Sequence, residues 1–174
     1  MELKQYQQAV LNDLAQYIAI LKEQGSNHKA FSTYWKQNGI TLQQGEETFH
    51  PYCDTMNGAP NMTIKVPTAG GKTFIACNAI RTIFDAMPVN RTKVVAWFVP
   101  SDTILKQTYE NLKNPQHPYR QRIDTLFNGR VEVYDKQALL FGQNFNPTII
   151  KEQLSIFVLS IQSFATKATD KRLV

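Results

Sequence analysis

The feature that most narrows the fold is a tight seven-residue turn, Pro67-Thr68-Ala69-Gly70-Gly71-Lys72-Thr73. It sits between an alternating stretch (MTIKV, 62–66) and a segment with an apolar stripe. A chain that bends so sharply from strand into helix needs small residues, and the bend aims several backbone N–H groups at one point. The helix start behind it adds partial positive charge. Such a bend suits a triphosphate. Thr68, Ala69, Gly70 and Gly71 supply the curled backbone, Lys72 is placed to reach the outer phosphates, and the Thr73 hydroxyl can take a magnesium coordination place. One position departs from the usual pattern: Val66 stands where a Gly is expected, five residues before Gly71.

Residues 3–21 place Tyr6, Val10, Leu14, Tyr17, Ile18 and Leu21 on one face, as in an amphipathic helix. A polar stretch from 22 to 60 reads as an irregular connection with one short helix near 31–35. After the turn, a helix from Lys72 to about Ala86 is predicted to bury Ala76, Ala79, Ile80, Ile83 and Phe84. KVVAWFV (93–99) has the continuous apolar character of a strand covered on both faces, with Trp97 packed inside it. Pro100 ends that strand and Ser101 caps a helix whose Ile104, Leu105, Thr108 and Leu112 point inward. VEVYD (131–135) and SIFVLS (155–160) are further strands, the second followed by IQSF.

Strands alternating with helices imply an α/β fold with a parallel sheet and right-handed crossovers. The turns at 67–73, 100–102 and 160–163 are then expected on one rim, beyond the carboxyl ends of the strands. The chain divides into a first helix (1–24), an irregular connection (25–61) and an α/β core (62–174).

Length and composition set outer bounds. The 174 residues suffice for one domain, and a net charge of +5 permits contact with phosphates without requiring it. No apolar run is long enough for a membrane helix, and the first residues lack a secretory leader, so the cytoplasm is the expected compartment. Cys53 and Cys77 stand in unrelated contexts and read as idle, reduced thiols, while His28, His50 and His117 lack metal-ligand spacing. His117 to Arg122 is a basic and aromatic cluster, readable as a phosphate contact or, more simply, as solvated surface.

Loops written PTxGGKT, with a Tyr-Gln pair upstream and a VPS…Q stretch downstream, resemble those of superfamily-two helicases. More narrowly, LKQYQQAVLNDLAQYI, IKVPTAGGKTFIAC, WFVPSDTILKQTYENLKNPQHPYRQRID, GRVEVYDKQALL and VLSIQSF resemble the res subunit of type III restriction enzymes. The resemblance implies a P-loop NTPase, RecA-like motor domain with ATP and Mg2+ as cofactors and DNA as a partner held mainly by its backbone. It also implies a separate modification (methyltransferase) subunit and an endonuclease in the parent protein.

The resemblance carries over to single residues. Gln7 matches the glutamine that reads adenine, a side-chain amide being able both to donate and to accept. The plain alternative is a polar residue on the exposed side of the first helix. Pro100, Ser101 and Gln107, and further on Ser160 and Gln162, match segments that rest against nucleic acid; an N-cap and a polar strand end are the plain alternatives. Asp102 stands where other branches keep an arginine, which puts a side-chain phosphate contact there in doubt.

The family's DExH carboxylates are expected after the IQSF stretch. Asp170 lacks a preceding apolar strand and a neighbouring glutamate, so the chain reads as an N-terminal part without catalytic residues, incomplete at its C-terminus. Two rival functions remain open at this point: a stand-alone RNA or DNA helicase, and a P-loop kinase or nucleotide-binding regulator that needs no nucleic acid.

Overall fold

The computed structural model describes residues 1–40, 52–56, 58–88, 92–142 and 148–164. Asp170 lies outside them. The chain forms two compact units, Glu2–Ala86 and Met87–Val174, the latter joined by Met1.

The first unit is built on three helices, α1 (Gln5–Gln24), α2 (Asn27–Gln37) and α3 (Lys72–Asp85). Helix α1 ends at Gly25, whose φ of 61° is open to glycine without strain and lets its N–H return to the Leu21 carbonyl at 3.0 Å. Ser26 then caps α2 by accepting the Lys29 N–H. At eleven residues, α2 is longer than the short helix read from the sequence.

Both α2 and α3 pack on α1. The face α1 buries is Gln7, Leu11, Leu14, Tyr17 and Ile20, rotated from the predicted stripe, and Tyr6 stays 42% exposed. The spacing gave the period correctly. It could not choose the phase, because Leu11 and Ile20 are apolar too and a helix touched from two sides buries a wider arc. Helix α3 shows the same error. It buries Phe74, Ile75, Cys77, Asn78 and Ile80, while Ala76, Ala79, Ile83 and Phe84 are only half-buried.

Residues 62–66 are not a strand. They are irregular and have no ladder partner among the described residues, with Met62 and Ile64 exposed and Val66 alone buried, against Leu11 and Ile75. Alternation proposes a strand, but only pairing makes one.

The second unit contains β1 (Lys93–Val99), α4 (Asp102–Lys113), α5 (Pro118–Leu126), β2 (Val131–Tyr134), α6 (Lys136–Phe141) and β3 (Leu154–Ser160). The strands form a parallel sheet in the order β1-β3-β2, with Val99 opposite Ser160 and Tyr134 opposite Phe157. Strand β3 is central and buried at every residue. Among the described residues β1 pairs only with β3, at the edge of the sheet, and it is not covered on both faces. Its Val94 and Phe98 are 44% and 51% exposed, and Trp97 is half-buried. An apolar run reports strand character but not rank within the sheet.

Helix α4 packs on all three strands through the buried Thr108 and Leu112, while Ile104, expected inward, is exposed. Helices α5 and α6 were not anticipated. Their start signals are local: His117 Nδ1 accepts the Tyr119 N–H ahead of a first-turn Pro118, and the Asp135 carboxylate accepts the Ala138 N–H.

Candidate functional site

The turn at 67–73 has an internal frame. The Pro67 carbonyl accepts from the Gly70 N–H at 3.0 Å and from Lys72 Nζ at 2.8 Å. Ala69 and Gly71 have φ of 61° and 71°, so two left-handed residues flank Gly70. Such a change of hand turns successive N–H groups toward one concavity. For Ala69 the left-handed region carries a steric cost, typical of a backbone held in shape for a ligand.

Gly71 also opens α3. No side chain caps this helix start and no acidic residue lies in its first turn. By contrast α2, α4, α5 and α6 begin on Ser26, Ser101, His117 and Asp135, each accepting a backbone N–H. The first N–H groups of an α-helix have no acceptor within the helix. An uncapped start behind a nest of left-handed residues is therefore complementary to an anion, and the donor set fits the phosphates of a nucleotide. Lys72 is exposed and its head is folded over the turn; Thr73 is half-buried at the helix start, with Thr68 and Ala69 exposed at the tip.

The close packing of glycine explains the departure at Val66. A β-carbon on Gly70 would lie 2.6 Å from Val66 Cγ1 and 2.9 Å from the Pro67 carbonyl oxygen. The bulk usually absent at the first position of the pattern is present here, and Gly70 leaves the room for it.

Gln7 is not on an exposed face. It is 3% exposed and binds the turn directly. Its Nε2 donates to the Gly70 carbonyl at 3.2 Å, and its Oε1 accepts the Lys4 N–H at 3.0 Å. Tyr6, not foreseen as a site residue, donates its hydroxyl to the same Gly70 carbonyl at 2.7 Å. A β-carbon on Gly71 would come within 2.6 Å of Gln7 Nε2. The adjacent Tyr-Gln pair thus acts as a two-pronged brace on the turn. Its only trace in the sequence is that adjacency.

The remaining candidates lie in the second unit. Pro100 and Ser101 follow β1, and the Ser101 hydroxyl oxygen accepts the Ile104 N–H at 3.4 Å as the cap of α4. Gln107 is exposed on α4. Ser160 ends β3 with no exposed surface, and Gln162 is exposed in the short turn after it. The 99–160 register brings the ends of β1 and β3 side by side, so Pro100, Ser101 and Gln162 belong to one edge of this sheet.

In the basic cluster, Arg120 is turned inward. Its Nε bonds both oxygens of Asp124 at 2.9 Å and its Nη2 donates to the Val131 carbonyl at 2.9 Å. Cys53 is exposed and Cys77 buried, both as free thiols, and burial pushes the Cys77 thiol up to about 12. Among the described residues no cluster of His, Cys, Asp and Glu could hold a metal, and no helix is long and apolar enough to cross a membrane.

No curated protein and no solved structure gives a significant match to this chain. A protein-family comparison does: the family described as type III restriction enzyme, res subunit, matches residues 1–173. That span includes the turn, its Tyr-Gln brace and all three strands, and the chain belongs to the type III restriction enzyme res-subunit family.

Proposed function

We propose that residues 67–73 bind the triphosphate of ATP with Mg2+, and that the chain is the ATP-binding part of a DNA translocase serving restriction. The family brings a helicase-like, ATP-dependent function within a type III restriction enzyme. The observation that carries the finer reading is the uncapped start of α3 behind the left-handed Ala69 and Gly71, with the Lys72 ammonium folded over it.

The N–H groups of residues 68–73 would hold the outer phosphates. Lys72 would exchange the Pro67 carbonyl for a phosphate oxygen, and the Thr73 hydroxyl would ligate Mg2+. Bound MgATP would supply the phosphoanhydride bond whose hydrolysis drives the motor. Positioning and electrostatics dominate such phosphoryl transfer, and those are what this turn offers. Gln7 holds the turn through Gly70, and it would read adenine only by redirecting one end of its amide.

For DNA, the proposed contact strip is Pro100, Ser101, Gln107 and Gln162, with the N-terminal amides of α4 facing phosphate and the buried Ser160 as the anchor beneath. Contacts of this kind grip the backbone, so affinity should fall steeply with salt and depend little on sequence. Sequence choice would rest with a modification subunit and cleavage with an endonuclease domain of the parent protein, in the cytoplasm.

The test is a thermal shift with Mg-ATP. At about 100 times its dissociation constant, a ligand stabilises by ~2.7 kcal/mol. The wild-type shift should vanish in Lys72→Ala; a full shift in that variant would sink the assignment.

A further inference from the structure

The backbone of the turn is tied to its own neighbours at two peptide groups and to α1 at the one between them. The Gly70 N–H donates to the Pro67 carbonyl, and the Gly71 carbonyl accepts the Ile75 N–H, both at 3.0 Å. Those bonds hold the peptide before Gly70 and the peptide after Gly71. The Gly70–Gly71 peptide is gripped from outside the turn. Its carbonyl accepts the Tyr6 hydroxyl at 2.7 Å and Gln7 Nε2 at 3.2 Å.

This peptide has the least hold of its own. Glycine takes positive and negative φ about equally readily, so a half-turn of a peptide between two glycines meets no β-carbon. Gly71 stands at a φ of 71°, and the half-turn would carry it to negative φ. The two planes present opposite faces to an anion. A trans peptide points its C=O and its N–H in opposite directions. With the carbonyl drawn to α1, the Gly71 N–H points away from α1 and into the concavity of the turn. After a half-turn, a carbonyl oxygen would stand there and repel phosphate.

The two donors are not equivalent. Gln7 is 3% exposed and also accepts the Lys4 N–H at 3.0 Å, so it belongs to the packed interior of its unit. Tyr6 keeps 42% of its surface exposed, yet its hydroxyl makes the shorter bond, across 64 positions of the chain. The Tyr6 oxygen accepts from Gln7 Nε2 at 3.3 Å, which leaves its own proton for Gly70.

We propose that Tyr6 is a positioning residue for phosphate binding at the turn: its hydroxyl selects the plane of the Gly70–Gly71 peptide in which the Gly71 N–H serves the anion. The proposal rests on the triphosphate assignment above. It adds that affinity for the phosphates is set in part from α1, whatever base they carry.

The test is Tyr6→Phe in the full chain, a change of one oxygen on an exposed ring. Calorimetric titration with Mg-ATP, and with Mg-tripolyphosphate, which has no base, gives the affinities. Heteronuclear amide spectra of the ligand-free chain follow the Gly71 N–H. Loss of one neutral hydrogen bond moves the balance between the two planes by about five-fold, and apparent affinity falls with the competent fraction. Both ligands should therefore weaken by the same factor, up to about five-fold. The Gly71 amide signal should shift and broaden through exchange on the μs–ms scale, and sharpen again at saturation with Mg-ATP. A residue that only supported the fold would lower Tm and leave that signal in place.

Unchanged affinity for both ligands, a loss confined to ATP, or a Gly71 amide that neither shifts nor broadens would overturn the proposal. Failure of the triphosphate assignment looks different: the wild-type chain itself would bind neither ligand, and both readings would fall together.

Discussion

Val66 Cγ1 occupies the space that a β-carbon on Gly70 would enter, with only 2.6 Å between the two positions. The pair explains how a turn lacking the first glycine of the usual pattern keeps its shape. Gly70 → Ala should therefore destabilise the first unit by about 1–3 kcal/mol through overpacking. Adding Val66→Ala should recover part of the loss, since it clears the methyl but not the Pro67 carbonyl oxygen at 2.9 Å. Urea unfolding of the two single variants and the double variant measures the coupling. Strictly additive costs would mean that the two residues do not share this space.

A second expectation concerns pH. Burial holds the Cys77 thiol protonated up to about 12, against an ordinary value of 9.0. Between those values the unfolded chain releases a proton that the folded chain retains, so stability is at its full value below pH 9 and declines as pH rises. The slope for one group approaches ~1.4 kcal/mol per pH unit. Cys77→Ala will be less stable at pH 7, from the lost packing, but its decline between pH 8 and 10 should be shallower than that of the parent. Equal slopes would show that Cys77 titrates no differently on folding. Cys53, exposed, should react with a thiol reagent at neutral pH while Cys77 does not.

Arg120 gives the third. Besides Asp124 and the Val131 carbonyl, it reaches the Leu112 carbonyl at 3.5 Å, so one guanidinium ties α5 to the end of α4 and the start of β2. Its side chain is only 15% exposed. Arg120→Lys should cost about 2 kcal/mol, close to the effect of Arg120→Ala, because an ammonium cannot copy the planar fork. DNA affinity should be unchanged in both variants. A loss of duplex binding without loss of stability would return Arg120 to the role of a phosphate contact.

What the sequence disclosed, and what it hid, follows a physical division. Features set by neighbours along the chain were legible: the start of α3 at Lys72, the span of β1, the Ser101 cap and the turn itself. The residue adjacency Tyr6-Gln7 was visible as well. Features set by distant neighbours were not. The edge rank of β1 depends on which strand pairs with it, and the buried phase of α1 depends on the helices that touch it. The bond from Gln7 to Gly70 spans 63 residues, and nothing local marks its far end.

That long-range bond yields the last prediction. Gln7 uses both ends of its amide, donating to the Gly70 carbonyl and accepting from the Lys4 N–H. Gln7→Glu keeps the shape and the acceptor but replaces the donor with an oxygen that faces the Gly70 carbonyl. At neutral pH the new carboxylate would be buried and opposed by that carbonyl dipole, so its folded-state pKa must rise above the unfolded value. Protonation restores a donor toward Gly70. The folded state then takes up a proton that the unfolded state releases, and the variant's stability must increase as pH falls from 7 toward the unfolded carboxyl range near 4. Wild-type Gln7 has no proton to exchange, so the difference in Tm between the two proteins should shrink on acidification. A gap that stays constant from pH 7 to pH 5 would mean that the position-7 side chain does not touch the turn, and the brace on the turn would have to be assigned to Tyr6 alone.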